Sequence, residues 1–141
     1  MNLENFLILC GVIHFGILTA GLAMTKVLNW KSELKKLDEL SEHVIWTHGA
    51  YIWFIILLFG ILSFFFPEEL FNGSNLGIIM STFIFLFWGC RLVIQLFYFD
   101  ASPYLNNIFL KLGYHGLTFC FLLFSIVYAY SAYVGYSGEV L

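Results

Sequence analysis

Four long apolar stretches follow one another along the chain and constrain its fold more than any other feature. They cover about residues 5–25, 44–66, 76–99 and 108–134. A helix needs about 20 mostly apolar residues to cross a bilayer, so each stretch is long enough for one crossing. The strands of a membrane barrel would instead alternate apolar and polar residues over about ten positions. The sequence therefore predicts an all-α membrane protein with four transmembrane helices in a single domain, 1–141.

Short polar connections indicate how these four spans are arranged. The second span stops at Pro67, and the Asn-Gly-Ser-Asn run at 72–75 supplies a turn before the third span. Residues 100–103 join the third span to the fourth. Because short connections leave neighbouring helices antiparallel, we expect an up-down-up-down four-helix bundle.

The first connection, residues 29–43, is longer than the others and carries charge. Leu34, Leu37 and Leu40 recur in it at helical spacing, with charged residues between them. An apolar stripe on an otherwise charged helix is typical of a segment that lies in the membrane interface. We expect a short amphipathic interfacial helix between the first two spans.

The sparse charge of the chain predicts its location and orientation. Only 11 % of the residues are charged and 61 % are hydrophobic, which excludes an ordinary soluble domain. The net charge of −3 gives no reason to expect nucleic acid as a partner. Lysine and arginine favour the cytoplasmic side. The basic residues are Lys26, Lys31, Lys35 and Lys36 around the first connection, and Arg91 and Lys111 near the third. We expect a multi-pass protein of the inner cell membrane, with the first and third connections cytoplasmic and both termini outside.

Polar side chains inside the spans are costly and therefore mark candidate functional positions. Each of the four spans contributes at least one to the predicted cytoplasmic half, and in the third span Trp88, Arg91 and Gln95 share one helical face. We expect one cofactor-binding or ligand-binding site assembled across the bundle. Its predicted members are His14, His48, Arg91, Gln95 and His115, with Tyr51 and Trp88 nearby.

Arg91 is the most informative member of this set. Placing an arginine inside a span costs about 2.5–3.5 kcal/mol, and no acidic residue lies within the four spans. Its guanidinium suits the carboxylate or phosphate of a bound molecule, which it can grip with two parallel hydrogen bonds. The alternative is a structural role, in which Arg91 reaches the interface or bonds to Gln95 and backbone carbonyls.

The histidines leave three alternatives open. A neutral imidazole can ligate haem iron, so His115 with His14, or His115 with His48, could hold a b-type haem. No sequence motif of closely spaced metal ligands is present, so no other metal site is expected. The same side chains could donate hydrogen bonds between helices or transfer protons. His48, His115 and Arg91 are the candidate catalytic residues if the protein is an enzyme, a point that the sequence leaves open.

These observations predict a small membrane protein whose His/Arg/Gln site binds an anionic group or a cofactor. One alternative is an accessory subunit of a larger membrane complex. A second is a haem-binding electron-transfer protein, a small membrane enzyme or a transporter. The partners expected are the lipid bilayer, a larger membrane complex or further copies of the chain, and an anionic or amphipathic small molecule.

Overall fold

The computed structural model describes residues 2–98 and 107–138. The predicted connection at 100–103 lies outside these ranges. Within them the chain forms five α-helices and one 3₁₀ helix. The α-helices are α1 (Leu3–Val27), α2 (Trp30–Leu34), α3 (Glu39–Phe65), α4 (Asn75–Phe97) and α5 (Ile108–Ser137), and the 3₁₀ helix (Pro67–Leu70) lies between α3 and α4.

The four long helices confirm the predicted spans, with ends that differ from the expected ones by a few residues. α1, α3, α4 and α5 are each long and apolar enough to cross a membrane. Local polar groups set two of their starts: Ser74 accepts the amide N–H of Gly77, and Asn107 accepts that of Phe109. The protein is therefore a multi-pass membrane protein with an all-α fold.

The helix predicted between the first two spans is present, but it is shorter than expected. α2 contains only five residues, and α3 already begins at Glu39. The physical reason is Asp38, whose carboxylate accepts the backbone N–H of Ser41 at 3.0 Å and so caps α3. Leu40, expected on the interfacial helix, is consequently the second residue of α3 and is exposed.

The bundle consists of two helix pairs, each formed by consecutive long helices. α1 packs on α3 closely enough that a Cβ added to Gly11 would lie 2.8 Å from the backbone nitrogen of Phe64. Near the other end of this pair, Gly21 faces Trp53. α4 and α5 are likewise joined near both ends: the Ser81 and Ser131 hydroxyls share the carbonyl oxygen of Leu70 as their acceptor, and Gln95 bonds to Thr118.

The two pairs bury side chains between them mainly in one half of the bundle. The closed half comprises residues 3–14, 56–88 and 121–137, and the open half comprises residues 15–55, 89–98 and 108–120. All the buried apolar side chains of the core lie in the closed half. Phe59, Ile52 and Ile45 show the change along one face of α3, since they are seven residues apart. Their exposed fractions are 3 %, 48 % and 36 %.

The end of the closed half is sealed by the turn that contains the 3₁₀ helix. The hydroxyls of Ser81 and Ser131 both donate to the carbonyl oxygen of Leu70, at 2.7 and 2.9 Å. A hydrogen bond also joins the hydroxyls of Ser63 on α3 and Tyr128 on α5. Polar contacts of this kind hold helices together in hydrocarbon, where burial of apolar area does little.

Candidate functional site

His14 lies at the centre of the bundle and is fully bonded. Its Nδ1 lies 2.6 Å from the carbonyl oxygen of Cys10, and its Nε2 accepts the indole N–H of Trp88 at 3.0 Å. Because an indole nitrogen can only donate, Nε2 carries no proton and the imidazole is neutral, with its hydrogen on Nδ1. The ring also stacks on Phe124, with centroids 4.1 Å apart. Both nitrogens of this histidine are therefore occupied by protein groups.

Arg91 lies one turn beyond Trp88 on the same face of α4, where the open half begins. Its side chain is half-buried. The guanidinium carbon lies 5.6 Å from the ring centre of Phe121, within the range of a cation–π contact. Phe121 in turn stacks on Trp88, with centroids 5.0 Å apart. The guanidinium therefore lies beside the Phe121–Trp88 pair, at the boundary of the closed half.

Gln95 lies one turn further along α4 and joins α4 to α5. Its side-chain nitrogen donates to the hydroxyl of Thr118 at 2.8 Å and to the carbonyl oxygen of Tyr114 at 3.3 Å. The Tyr114 hydroxyl donates back to the carbonyl oxygen of Gln95 at 3.0 Å. Gln95 is the one buried residue of the open half as defined above. Its two amide hydrogens therefore fix α4 against α5 in the open half.

His48 and Tyr51 lie on α3 and are both exposed. His48 bonds through Nδ1 to the carbonyl oxygen of Val44, at 2.8 Å, which leaves Nε2 at the surface. Tyr51 lines a groove on the outside of α3 together with Trp46 and Phe54. Neither side chain has a described hydrogen bond or ring contact with another predicted site residue.

His115 is exposed on α5 and faces away from the core. It precedes Phe124 by nine residues, which turns it by about 180° around the helix axis. His14 stacks on the opposite face of α5, so the structure does not bring these two histidines together. Within residues 2–98 and 107–138, no three His, Cys, Asp or Glu side chains are grouped to hold a metal ion.

The structure thus joins His14 to Trp88 and places Arg91 and Gln95 on the following turns of the same helix face. His48, Tyr51 and His115 lie elsewhere on the surface. Analysis of the sequence missed the aromatic partners on α5, Phe121 and Phe124. Their spacing matches one helical face, but a chain with 17 phenylalanines offers many such faces.

Comparison of the chain with protein-family models, with curated proteins and with solved structures found no match. Its own four apolar helices place it among small polytopic membrane proteins.

Proposed function

We propose that this protein binds the anionic head of an amphipathic molecule in the open half of its bundle, with Arg91 as the binding cation. The observation that carries the proposal is the position of Arg91. It lies on the core-facing side of α4, at the level where the packing between the helix pairs ends. A half-buried guanidinium favours a carboxylate or phosphate that can accept two hydrogen bonds.

The apolar side chains exposed in the open half favour an amphipathic ligand over a small polar one. The core-facing stripe of α3 continues into this half as Ile52 and Ile45, both apolar and exposed. An acyl or isoprenoid chain would bury these side chains while its charged head reached Arg91. Gln95 is a positioning residue, because its bonds to Tyr114 and Thr118 fix α4 against α5 beside that head.

The orientation of the protein is part of the proposal. The lysines of residues 26–36 lie at the end of the bundle to which the open half belongs. Since basic residues favour the cytoplasmic side, the open half faces the cytoplasm and both termini lie outside the cell membrane.

The test measures binding of spin-labelled stearate to the purified protein in nanodiscs of phosphatidylcholine, with the methyl ester of the same probe as comparison. The acid should bind the wild type at least about tenfold more tightly than the ester, as expected for hydrogen bonds to a charged group. Arg91→Gln should abolish this preference, and Lys111→Gln should retain it. A wild-type protein that binds acid and ester equally would contradict the proposal.

A role as an accessory subunit is the second candidate, favoured by the same exposed stripe. Ile45 and Ile52 could be covered by a transmembrane helix of a partner chain instead of a small molecule. Purification from a native membrane in mild detergent should then yield one stoichiometric partner. Ile52→Arg should release that partner, whereas Ile126→Arg, at an exposed position on α5 in the closed half, should not.

A further inference from the structure

A second concave surface lies on the outside of the bundle, separate from the open half. It is a shallow, wide-open groove of about 630 Å³ on one face of α3. Its lining residues are Trp46, Thr47, Ala50, Tyr51 and Phe54. Ala50 precedes the core residue Phe59 by nine positions, so the groove is turned by about 180° from the core. The groove therefore opens toward the lipid.

At its Trp46 end, the groove lies next to α2, because a tryptophan of α2 contacts a tryptophan of α3. The rings of Trp46 and Trp30 meet edge to face, with centroids 6.5 Å apart. Tryptophans at such positions are typical of the membrane–water interface. The chain reverses before α2 at Asn29, whose φ of 50° lies in the left-handed region. This turn and the tryptophan contact place α2 beside the end of the groove.

The segment around α2 is basic. Residues 26–36 contain four lysines and one acidic residue, Glu33. Lys36 forms an ion pair with Glu33 at 2.6 Å. Lys26, Lys31 and Lys35 form no ion pair with any carboxylate among the described residues. Three ammonium groups are therefore available to an anion at the interface.

The start of α3 supplies one more hydrogen-bond donor for an anion, His43. It also contains the acidic residues that follow the lysine segment. His43 is exposed and lies on the groove face, four residues before Thr47 and seven before Ala50. Asp38 is bonded to Ser41, both through the backbone and through the hydroxyl. Glu39 and Glu42 occupy the first turn of α3, and Glu39 lies four residues before His43 on the same helix face. A phosphate at His43 therefore has to lie away from this carboxylate, toward the lysines around α2.

We propose that this groove binds an anionic diacyl phospholipid, with an acyl chain along Ala50 and Phe54 and the phosphate at Lys31, Lys35 and His43. The apolar lining opens to the bilayer, which suits an acyl chain. The lysines at one end complement the negative charge of an anionic headgroup. A zwitterionic headgroup has no net charge for them to attract. Polybasic segments beside transmembrane helices recognise anionic headgroups in this way. A free phosphate ion would leave the groove unfilled, and a partner helix would not require the lysines.

The test is native mass spectrometry of the purified protein with phosphatidylglycerol and phosphatidylcholine of identical acyl chains. The wild type should retain phosphatidylglycerol in preference to phosphatidylcholine. Each lysine near a headgroup is worth about a fivefold change in affinity, so Lys31→Gln with Lys35→Gln should weaken retention by roughly 25-fold. Lys111→Gln is the control and should leave retention unchanged.

A second pair of variants tests the groove itself. Ala50→Trp places an indole ring in the middle of the groove lining and should weaken phosphatidylglycerol retention with all lysines intact. Ala23→Trp, at an exposed position on the outer face of α1, should have no effect. Equal retention of the two lipids by the wild type would overturn the proposal. Displacement of the lipid by millimolar inorganic phosphate, or release of a co-purifying transmembrane chain by Ala50→Trp, would overturn it as well.

Discussion

Trp88 donates its indole N–H to Nε2 of His14 at 3.0 Å, and this bond joins the two helix pairs where the closed half ends. The Nδ1–H of the imidazole in turn donates a hydrogen bond to the carbonyl oxygen of Cys10. Aromatic rings from the other three long helices surround it, including Phe59, Phe124 and the Trp88 ring. An imidazole buried among aromatic rings cannot replace a lost hydrogen bond with one to water. Its bond to Trp88 therefore stabilises the packing of the two helix pairs.

Loss of the Trp88 donor should destabilise the protein. Trp88→Phe leaves Nε2 of His14 buried without a partner, and the free energy of unfolding should fall by about 1–3 kcal/mol. Trp46→Phe is the matched control, since Trp46 is exposed and has no described hydrogen bond. The measurement is unfolding in dodecyl sulphate–maltoside mixtures, followed by circular dichroism. Equal losses in the two variants would show that the His14–Trp88 bond contributes nothing specific.

Two glycines of α1 should respond in opposite ways to the same substitution. A Cβ at Gly11 would meet the backbone of Phe64 at 2.8 Å, whereas a Cβ at Gly16 would meet nothing within 4 Å. Gly11→Ala should therefore lower the free energy of unfolding by about 1–3 kcal/mol through overpacking. Gly16→Ala should raise it by up to about 1 kcal/mol, since alanine favours a helix. A stable Gly11→Ala variant would contradict the close approach of α1 and α3.

A double-mutant cycle on Gln95 and Thr118 should reveal coupling across α4 and α5. The bond between their side chains is 2.8 Å long, and such bonds between membrane helices contribute about 0.6 kcal/mol on average and about 1.7 at most. Gln95→Leu, Thr118→Val and the double variant give this coupling from their unfolding free energies. Thr82 bonds only within α4, to Ile78, so the cycle of Gln95→Leu with Thr82→Val should give a value near zero. Equal coupling in both cycles would refute the described contact.

The start of α3 should depend on pH through Asp38. Hydrogen bonds from the Ser41 hydroxyl and then from its amide hold the pKa of the Asp38 carboxyl below its usual value. The ionised carboxylate therefore stabilises the first turn at pH values above the unfolded pKa, and this stabilisation is lost as pH falls through the folded pKa. Amide exchange at Ser41 should accelerate over that acid range.

Asp38→Asn provides the control for this prediction, because asparagine caps a helix without titrating. Glu39 and Glu42 remain in both proteins, so the difference between the two pH profiles isolates Asp38. Identical profiles would mean that another group causes the transition.

The four membrane helices were predictable because their apolar stretches are long and end at polar or proline residues such as Pro67. The extent of α2 was not, because helical spacing of leucines cannot show that Asp38 starts a new helix. Gly11 and Gly16 both lie on α1, yet of these two only Gly11 closely approaches α3. Which of two glycines faces the neighbour depends on helix rotation, which residue type alone does not set.

The candidate site was predictable only along a single helix. Trp88, Arg91 and Gln95 share a face of α4 because their spacing in one helix requires it. Which residues meet across helices depends on the rotation of each helix, and His115 is exposed on the side of α5 opposite Phe124, which stacks on His14. The bond between His14 and Trp88 links residues 74 positions apart, and nothing local in the sequence pairs them.

The division into two helix pairs has a consequence for how the chain is assembled during membrane insertion. Each pair is a hairpin of consecutive spans, so its internal contacts can form as soon as its second span has entered the bilayer. Phe124 and Tyr128, which contact His14, belong to α5, the last of the four spans in chain order. The aromatic cluster around His14 is therefore incomplete until α5 has entered the bilayer. The core thus forms after the two hairpins rather than before them.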